Sequence, residues 1–315
     1  MAQAGDAAGG APAPLVTVIV ATFNSRLTLA CALESVRRQT CQDFEVQVVG
    51  DACTDGSEAV VAALGDPRFH WTNLPRNSGS QAGPNNDALR RARGRFVGYL
   101  GHDDLWFPWH LETLVDTASS EGASYVHGLG VILGPGSIAA TGPPRRGASY
   151  HGHCVPPTNW LVDRALLERI GPWREPGSIG RPVDLDVLFR IAASGARIAC
   201  ASRLTTIKFP SALWRAYASD APRPQIPISE ELVRDPGTLA ARLLCDVAAE
   251  HARATFPTWA PPPILLWRDA AQRVKAALGA TLRQLEGVPI FAAALRWRFQ
   301  RLRRRAGVRR GLGPR

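Results

Sequence analysis

Several features are missing from this chain of 315 residues, and each absence narrows what it can be. No stretch reaches the ~18 apolar residues needed to span a bilayer; the best run, Val288 to Leu295, is far too short. The Ala/Gly-rich residues 1–13 carry one charge, Asp6, and lack the basic and apolar segments of a secretory signal, so they read as a disordered leader. None of the six cysteines (Cys31, Cys41, Cys53, Cys154, Cys200 and Cys245) stands in a C-x-x-C pair. Without a secretory signal they read as reduced thiols of a cytosolic protein. His151-Gly-His153-Cys154 offers three zinc ligands but neither a fourth nor the usual spacing.

Acidic residues are also missing from Arg296 to Arg315, where nine arginines lie. The net charge of +10 is therefore a tail property, and the other 295 residues are almost neutral. A nucleic-acid enzyme spreads basic residues along its working face, so this distribution excludes that class. In the tail, Phe291, Leu295, Phe299 and Leu302 share one helical face amid arginines, with Arg298 and Arg305 at its border. A basic amphipathic helix at 290–310 suits peripheral contact with an anionic membrane and equally suits docking on the protein's own domain.

With 45% hydrophobic residues the chain can bury one large core or two modest ones. Leu15 to Ala21 is a short β-branched run, a strand buried on both faces. The spacing predicts a helix over 27–39, a strand over 44–49, a short helix over 58–64, a strand over 68–71, a helix over 85–93 and a strand over 95–100. Strand alternating with helix implies βαβ units and a mostly parallel α/β sheet. Further on, 109–121 and 184–194 read as helices, 124–133 and 196–200 as strands, and the Pro-rich 221–236 as a linker. The expected layout is a domain over 14–220, that linker, and a helical basic region over 237–315.

Ligands of such sheets sit at the carboxyl ends of the strands. Thr22, Asn24, Asp51 and the pair Asp103/Asp104 all fall just past strand ends. The polar loop Asn77-Ser-Gly79 precedes the helix bearing Asn85 and can offer backbone N–H groups. A carboxylate pair beside such a loop can hold a divalent cation against a diphosphate. Read alone, Asp103/Asp104 also suit a cap for the segment from Leu105, and Asp184 suits an N-cap. Trp106, Trp109 and Trp160 suit a core, the commoner place for Trp, and are also available to line a groove for a sugar; Lys208 and Arg215 suit a phosphate clamp and equally a packed surface segment.

Taken in order, these motifs resemble the family-2 glycosyltransferases of the GT-A fold over roughly residues 14–217. Val16 to Asn24 resembles the opening strand and nucleotide-contacting turn. Val48-Val-Gly-Asp51 through Asp55-Gly-Ser resembles the second-strand acidic motif. Asn77-x-Gly79 with Asn85 is similar to the donor-binding loop and helix. Leu100-Gly-His-Asp-Asp104 sits at the D-x-D position, and Asp184-Leu-Asp-Val-Leu-Phe-Arg190 resembles the helix that opens with the catalytic carboxylate. The resemblance implies a Rossmann-like nucleotide-diphospho-sugar transferase sheet and a role in cell-envelope polysaccharide synthesis.

It further implies transfer from a nucleoside diphosphate sugar to a hydroxyl of a saccharide or lipid-linked acceptor, with inversion. Asp184 would be the base, Asp103 the ligand of Mn2+ or Mg2+, and Thr22, Asn24, Asp51, Asn77, Gly79, Asn85 and Asp104 the donor contacts. The chain departs from the family pattern at Gly101, Val183 and Pro84, where an Asp, a Glu and an Arg are usual. Gly101 and Val183 support an alternative, a catalytically silent binding or scaffold subunit. A nucleotidyltransferase would want basic residues right after the first strand, where this chain has Ala-Thr-Phe-Asn-Ser and only Arg26 nearby.

Overall fold

The computed structural model describes residues 12–142, 155–218 and 220–255. Its first half alternates as the pattern predicts: β1 (Val16–Thr22), α1 (Arg26–Arg37), β2 (Phe44–Gly50), α2 (Ser57–Ala63), β3 (Phe69–Asn73), α3 (Ala82–Arg91) and β4 (Phe96–Tyr99). The second half adds β5 (Leu105–Trp106), α4 (His110–Glu121), β6 (Tyr125–Gly134), β7 (Ser137–Thr141), β8 (Trp160–Asp163), α5 (Arg164–Ile170), α6 (Val183–Ala193), β9 (Ile198–Lys208), α7 (Ser211–Trp214), α8 (Gln225–Arg234) and α9 (Pro236–Thr255).

The strands form one sheet in the order β3-β2-β1-β4-β8-β6-β9-β5, with β7 paired to β6. The β3-β2-β1-β4 half is parallel, as the βαβ pattern requires. Beyond β4 the sheet is mixed: β8 runs antiparallel to both neighbours, β6 and β9 are parallel, and β5 is antiparallel to β9. All seven residues of β2 are buried. Alternate residues of β1 serve opposite faces: Val16, Val18 and Val20 pack with Leu29, Leu33 and Val36 of α1, while Ile19 packs with Val49, Val97 and Tyr99.

A buried carboxylate ties the centre of the sheet to the end of α3. Glu45 of β2 accepts from Thr17 Oγ1 at 2.8 Å and from the Arg93 amide at 2.8 Å, and its other oxygen meets the Arg93 guanidinium at 2.6 Å. Gly94 follows because the chain there runs against β1; a Cβ at this position would stand 2.4 Å from the Thr17 nitrogen.

Three expectations change. The strand expected over 196–200 continues to Lys208, and its far end pairs with β5 through Leu105↔Ile207. The two residues of β5 are too few to show a strand period, so the sequence hides the pairing that extends β9. The Pro-rich 221–236 is not a free linker. Its centre is α8, which buries Gln225, Ser229 and Leu232, and the chain as far as His251 forms one compact unit. Pro224 and Pro227 lie at the cap and in the first turn of α8, where a missing N–H costs little. Leu232 joins Leu239 and Leu243 of α9 against Leu105, Phe107, Ile207 and Phe209. Finally, Trp106 and Trp160 are fully buried and belong to the core, not to an acceptor groove.

The described cysteines Cys31, Cys41, Cys53, Cys200 and Cys245 are free thiols. Among the described residues no helix is long and apolar enough to cross a membrane. Residues 1–11 of the leader, the His151–Cys154 cluster and the amphipathic tail at 290–310 lie outside the described residues.

Because α8 is part of the core, Leu232→Ala is expected to lower unfolding stability by about 2–5 kcal/mol. Urea unfolding followed by circular dichroism reads this directly; an unchanged midpoint would mean that α8 does not dock.

Candidate active site

The parallel pair β1/β2 brings the ends Thr22 and Gly50 side by side, and the turns that follow are cross-linked. The Asp51 amide donates to the Thr22 carbonyl at 2.8 Å. The Asp51 carboxylate accepts from the Ser78 amide at 2.8 Å and from Ser78 Oγ at 3.1 Å. Asn77 Nδ2 donates to the Asp51 carbonyl at 3.1 Å, while Asn77 Oδ1 accepts from the Gly79 amide at 2.7 Å. Gly79 has φ +73°, a conformation that favours glycine. The Asn-x-Gly spacing is thus an Asx-turn that presses the loop onto Asp51.

Above these turns lies a cavity of about 350 Å³ lined by Thr22, Phe23, Asp51, Asn77, Gly79 and His102, among others, with Tyr217 from the chain's later part in its wall. Two of its polar atoms are buried and unpaired among the described residues, Thr22 Oγ1 and His102 Nε2. His102 Nδ1 lies 3.2 Å from the Ala21 carbonyl and must donate there, so Nε2 of the neutral ring is an acceptor. Buried groups left unpaired by the protein are what a polar ligand satisfies. Burial pushes up the nearby Cys53 thiol, against hydrogen bonds that lower it, so this cysteine stays protonated and is no nucleophile.

Two expected donor contacts sit differently. Asn24 lines a neighbouring cavity, and its Oδ1 accepts from the Thr54 amide at 2.8 Å. Asn85 is buried in α3, next to Pro84 of the cavity wall.

The acidic turn follows β4. Asp103, 5% exposed, accepts from Ser211 Oγ at Oδ2, and its carbonyl accepts from Gln225 Nε2 at 3.2 Å. Asp104, 1% exposed, meets Lys208 Nζ at 3.0 Å through Oδ2 and accepts from the Phe209 amide at 2.9 Å through Oδ1. Lys208 thus serves an internal pair and not the free phosphate clamp its sequence position suggested. Burial of Lys208 works to lower its pKa, but the charges of Asp104, then Asp103, more than reverse this and hold the ammonium above its ordinary value. Gly101 stands where a first Asp is usual because both carboxylates fold over it: a Cβ there would lie 2.7 Å from Asp104 Oδ2 and 3.1 Å from Asp103 Oδ1.

Asp184 is the second residue of α6, and its Oδ1 accepts from the Leu185 amide at 2.9 Å. The charge of Asp184 adds, after those of Asp104 and Asp103, to the influences that hold Lys208 above its ordinary value. Asp186 is structural, buried and paired with Arg190 at 2.9 Å. Among the described residues no three His, Cys, Asp or Glu side chains converge on a cation. The donor set instead fits an ion shared with a ligand. The Asp103 carboxylate is a hard oxygen donor with one oxygen on Ser211, and Mg2+ or Mn2+ is commonly held by one or two carboxylates plus substrate phosphates.

Ser78, Ser211, Tyr217 and Gln225 escaped the sequence reading. Ser78 sits in the x position of Asn-x-Gly, and the other three come from a segment whose position depends on the β5–β9 pairing.

A parallel half-sheet extended by antiparallel strands, with acidic turns at its carboxyl end, is the GT-A arrangement of nucleotide-diphospho-sugar transferases. Structures of this kind superpose on it. S. aureus TarS matches with TM-score 0.55 at 19% identity, covering 75% of this chain and 43% of that one. The mannosyltransferase PcManGT from Pyrobaculum calidifontis, in complex with GDP-Man and Mn2+, matches with TM-score 0.50 at 20% identity, covering 90% and 87%. Residues 17–171 match the model of Glycosyl transferase family 2, and this part of the chain is a domain of that family.

Among curated relatives, it is 39% identical over 110 residues to the succinoglycan biosynthesis protein ExoO of Rhizobium meliloti, covering 35% of this chain and 31% of the relative. It is 30% identical over 124 residues to the UDP-Glc:alpha-D-GlcNAc-diphosphoundecaprenol beta-1,3-glucosyltransferase WfgD of Escherichia coli, covering 39% and 49%. The chain thus spans less than half the length of each of these two relatives.

Lys208→Met tests the internal pair. Removing the ammonium leaves Asp104 buried and uncompensated, with an expected loss of about 3–5 kcal/mol at neutral pH. Burial is the largest influence on the Asp104 carboxyl and raises its pKa. With the folded value above the unfolded one, the folded variant binds more protons as pH falls, so the deficit should shrink from pH 7 toward pH 5. Urea midpoints across that range, for variant and wild type, give the answer; a pH-independent deficit would contradict the pairing.

Proposed function

We propose that the chain transfers a sugar, with inversion, from a nucleoside diphosphate sugar to an acceptor hydroxyl. One observation carries this reading: Thr22, Asp51, Asn77 and Gly79, widely separated in sequence, line one cavity at the sheet end, and the acidic turn adds His102 to it. Thr22 Oγ1 and His102 Nε2 are free to bond the nucleoside, and the Asp51 carboxylate, held by Ser78, fronts the same space. Asn85 backs this wall from α3, next to Pro84, whereas Asn24 lines the neighbouring cavity.

Asp103, next to that cavity, would share a Mn2+ or Mg2+ ion with the diphosphate; when bound, the ion neutralises charge developing on the leaving group. Asp104 acts indirectly, fixing the turn through Lys208 and Phe209. Asp184, at the start of α6, is the base that takes the proton of the attacking hydroxyl. Tyr217 closes the cavity beside His102, with ring centroids 6.2 Å apart, and limits entry of water.

The acceptor class follows from similarity. The name of the WfgD relative specifies a diphosphoundecaprenol-linked saccharide, and a lipid-linked saccharide is the acceptor proposed here. On this reading the enzyme works on the cytoplasmic side, at a membrane surface, within cell-envelope polysaccharide assembly.

A panel of UDP-, GDP- and dTDP-sugars, with Mn2+, Mg2+ or chelator, is the direct test. One donor should bind in a metal-dependent manner and bind at least about tenfold more weakly to Asp103→Ala. Asp184→Asn should keep donor affinity while turnover falls by about 10²–10⁴, the usual contribution of a positioned base. Failure of every donor to bind would overturn the reading, and binding with no turnover toward any lipid-linked acceptor would favour the silent scaffold.

A further inference from the structure

A second cavity of about 260 Å³ flanks the Phe23–Asn24 turn, and no residue lines both it and the donor cavity. Its walls are the start of α1, Asp55 and the segment from Trp214 to Gln225. From its chemistry we infer that it binds the phosphate-bearing end of the saccharide acceptor; this deepens the transferase reading and rests on it.

Two arginines against one acid leave the cavity wall with net positive charge. Arg26 and Arg223 line it. Arg223 donates to the Ala221 carbonyl at 2.7 Å, and neither guanidinium meets a carboxylate among the described residues. Asp55, the one acid in the wall, is already engaged: one oxygen accepts from the Arg26 amide at 2.8 Å, the other from the Ser57 amide at 3.1 Å and Ser57 Oγ at 2.6 Å. The twelve-residue helix α1 begins here with no acid in its first turn. Its cap residue Ser25 turns its hydroxyl to the Phe23 carbonyl at 2.8 Å and not to the helix amides. Two arginines beside a helix start, whose first amide is held by Asp55, suit a phosphate.

Gln225 marks the ligand independently. It is 2% exposed, and its amide nitrogen is spent on the Asp103 carbonyl, which leaves Oε1 buried and unpaired in a residue of the cavity wall. Such an acceptor wants a hydroxyl or N–H, which a saccharide supplies. Trp214 is fixed by its indole N–H on the Leu133 carbonyl at 2.7 Å, so its ring is a firm wall for a sugar. Through Gln225 the cavity is joined to the Asp103 turn, which sets an acceptor bound there beside the donor's diphosphate.

The test uses the full chain saturated with UDP and Mn2+, titrated with N-acetylglucosamine 1-phosphate and, as the uncharged control, N-acetylglucosamine. The sugar phosphate should bind without displacing UDP, and at least tenfold tighter than the neutral sugar. The double variant Arg26→Gln/Arg223→Gln should lose at least tenfold of that affinity while its UDP affinity and urea midpoint stay at wild-type values. Arg223→Gln alone should give a smaller loss of the same kind. Equal affinity for the two sugars, displacement of UDP, or wild-type binding by the double variant would overturn the inference. UDP binding with no sugar-phosphate binding also overturns it, and it alone. Failure of UDP to bind the wild-type chain would overturn the transferase reading and this inference together.

Discussion

Asp104 is a carboxylate at the bottom of the site with almost no access to water, and burying it is tolerable only because Lys208 and the Phe209 amide meet its two oxygens. That clasp joins two parts of the chain that sequence separates by about a hundred residues. It holds the end of β9 against the turn after β4, and the segment that follows β9 then supplies Ser211 to Asp103, Tyr217 to the donor cavity and Gln225 to both the acidic turn and the second cavity. Each depends on the β9 end staying where Asp104 fixes it. Gly101 belongs to the same constraint, since a side chain at that position would collide with the carboxylates that make the clasp.

The donor side is built on a different principle. Two adjacent parallel strands end level with each other, so the turns after β1 and β2 must share one space. Hydrogen bonds among Thr22, Asp51, Ser78 and Asn77 convert that proximity into a preformed wall. Such a wall is cheap in conformational entropy at the moment of binding, because its groups are already ordered. The two unpaired atoms it retains, on Thr22 and His102, are then the ones left for a ligand.

Together the two devices separate tasks. On the proposed reading the βαβ half would carry nucleotide recognition, and the later segment, anchored by one ion pair, the acceptor side and the cover.

Much of this was legible in the residues. The runs Leu15 to Ala21 and Phe44 to Val49 are short, β-branched and bounded by turn residues, and both became strands of the parallel half. Asn77-x-Gly79 carried its own turn geometry, since asparagine and glycine are needed for an Asx-turn with a positive φ. What stayed hidden was long-range. Two-residue β5 has no period to read, so neither the extension of β9 nor the partnership of Lys208 with Asp104 could be seen. The prolines of 221–236 suggested a linker, yet two of them occupy positions at a helix start, and only contact with the core shows that Leu232 is buried. The sequence by itself determined the βαβ half and its ligand-bearing turns, because strand period and turn chemistry are local. The tertiary structure alone decided which carboxylate is spent on an internal ion pair and which is left for a ligand, because that choice depends on residues brought together from distant parts of the chain.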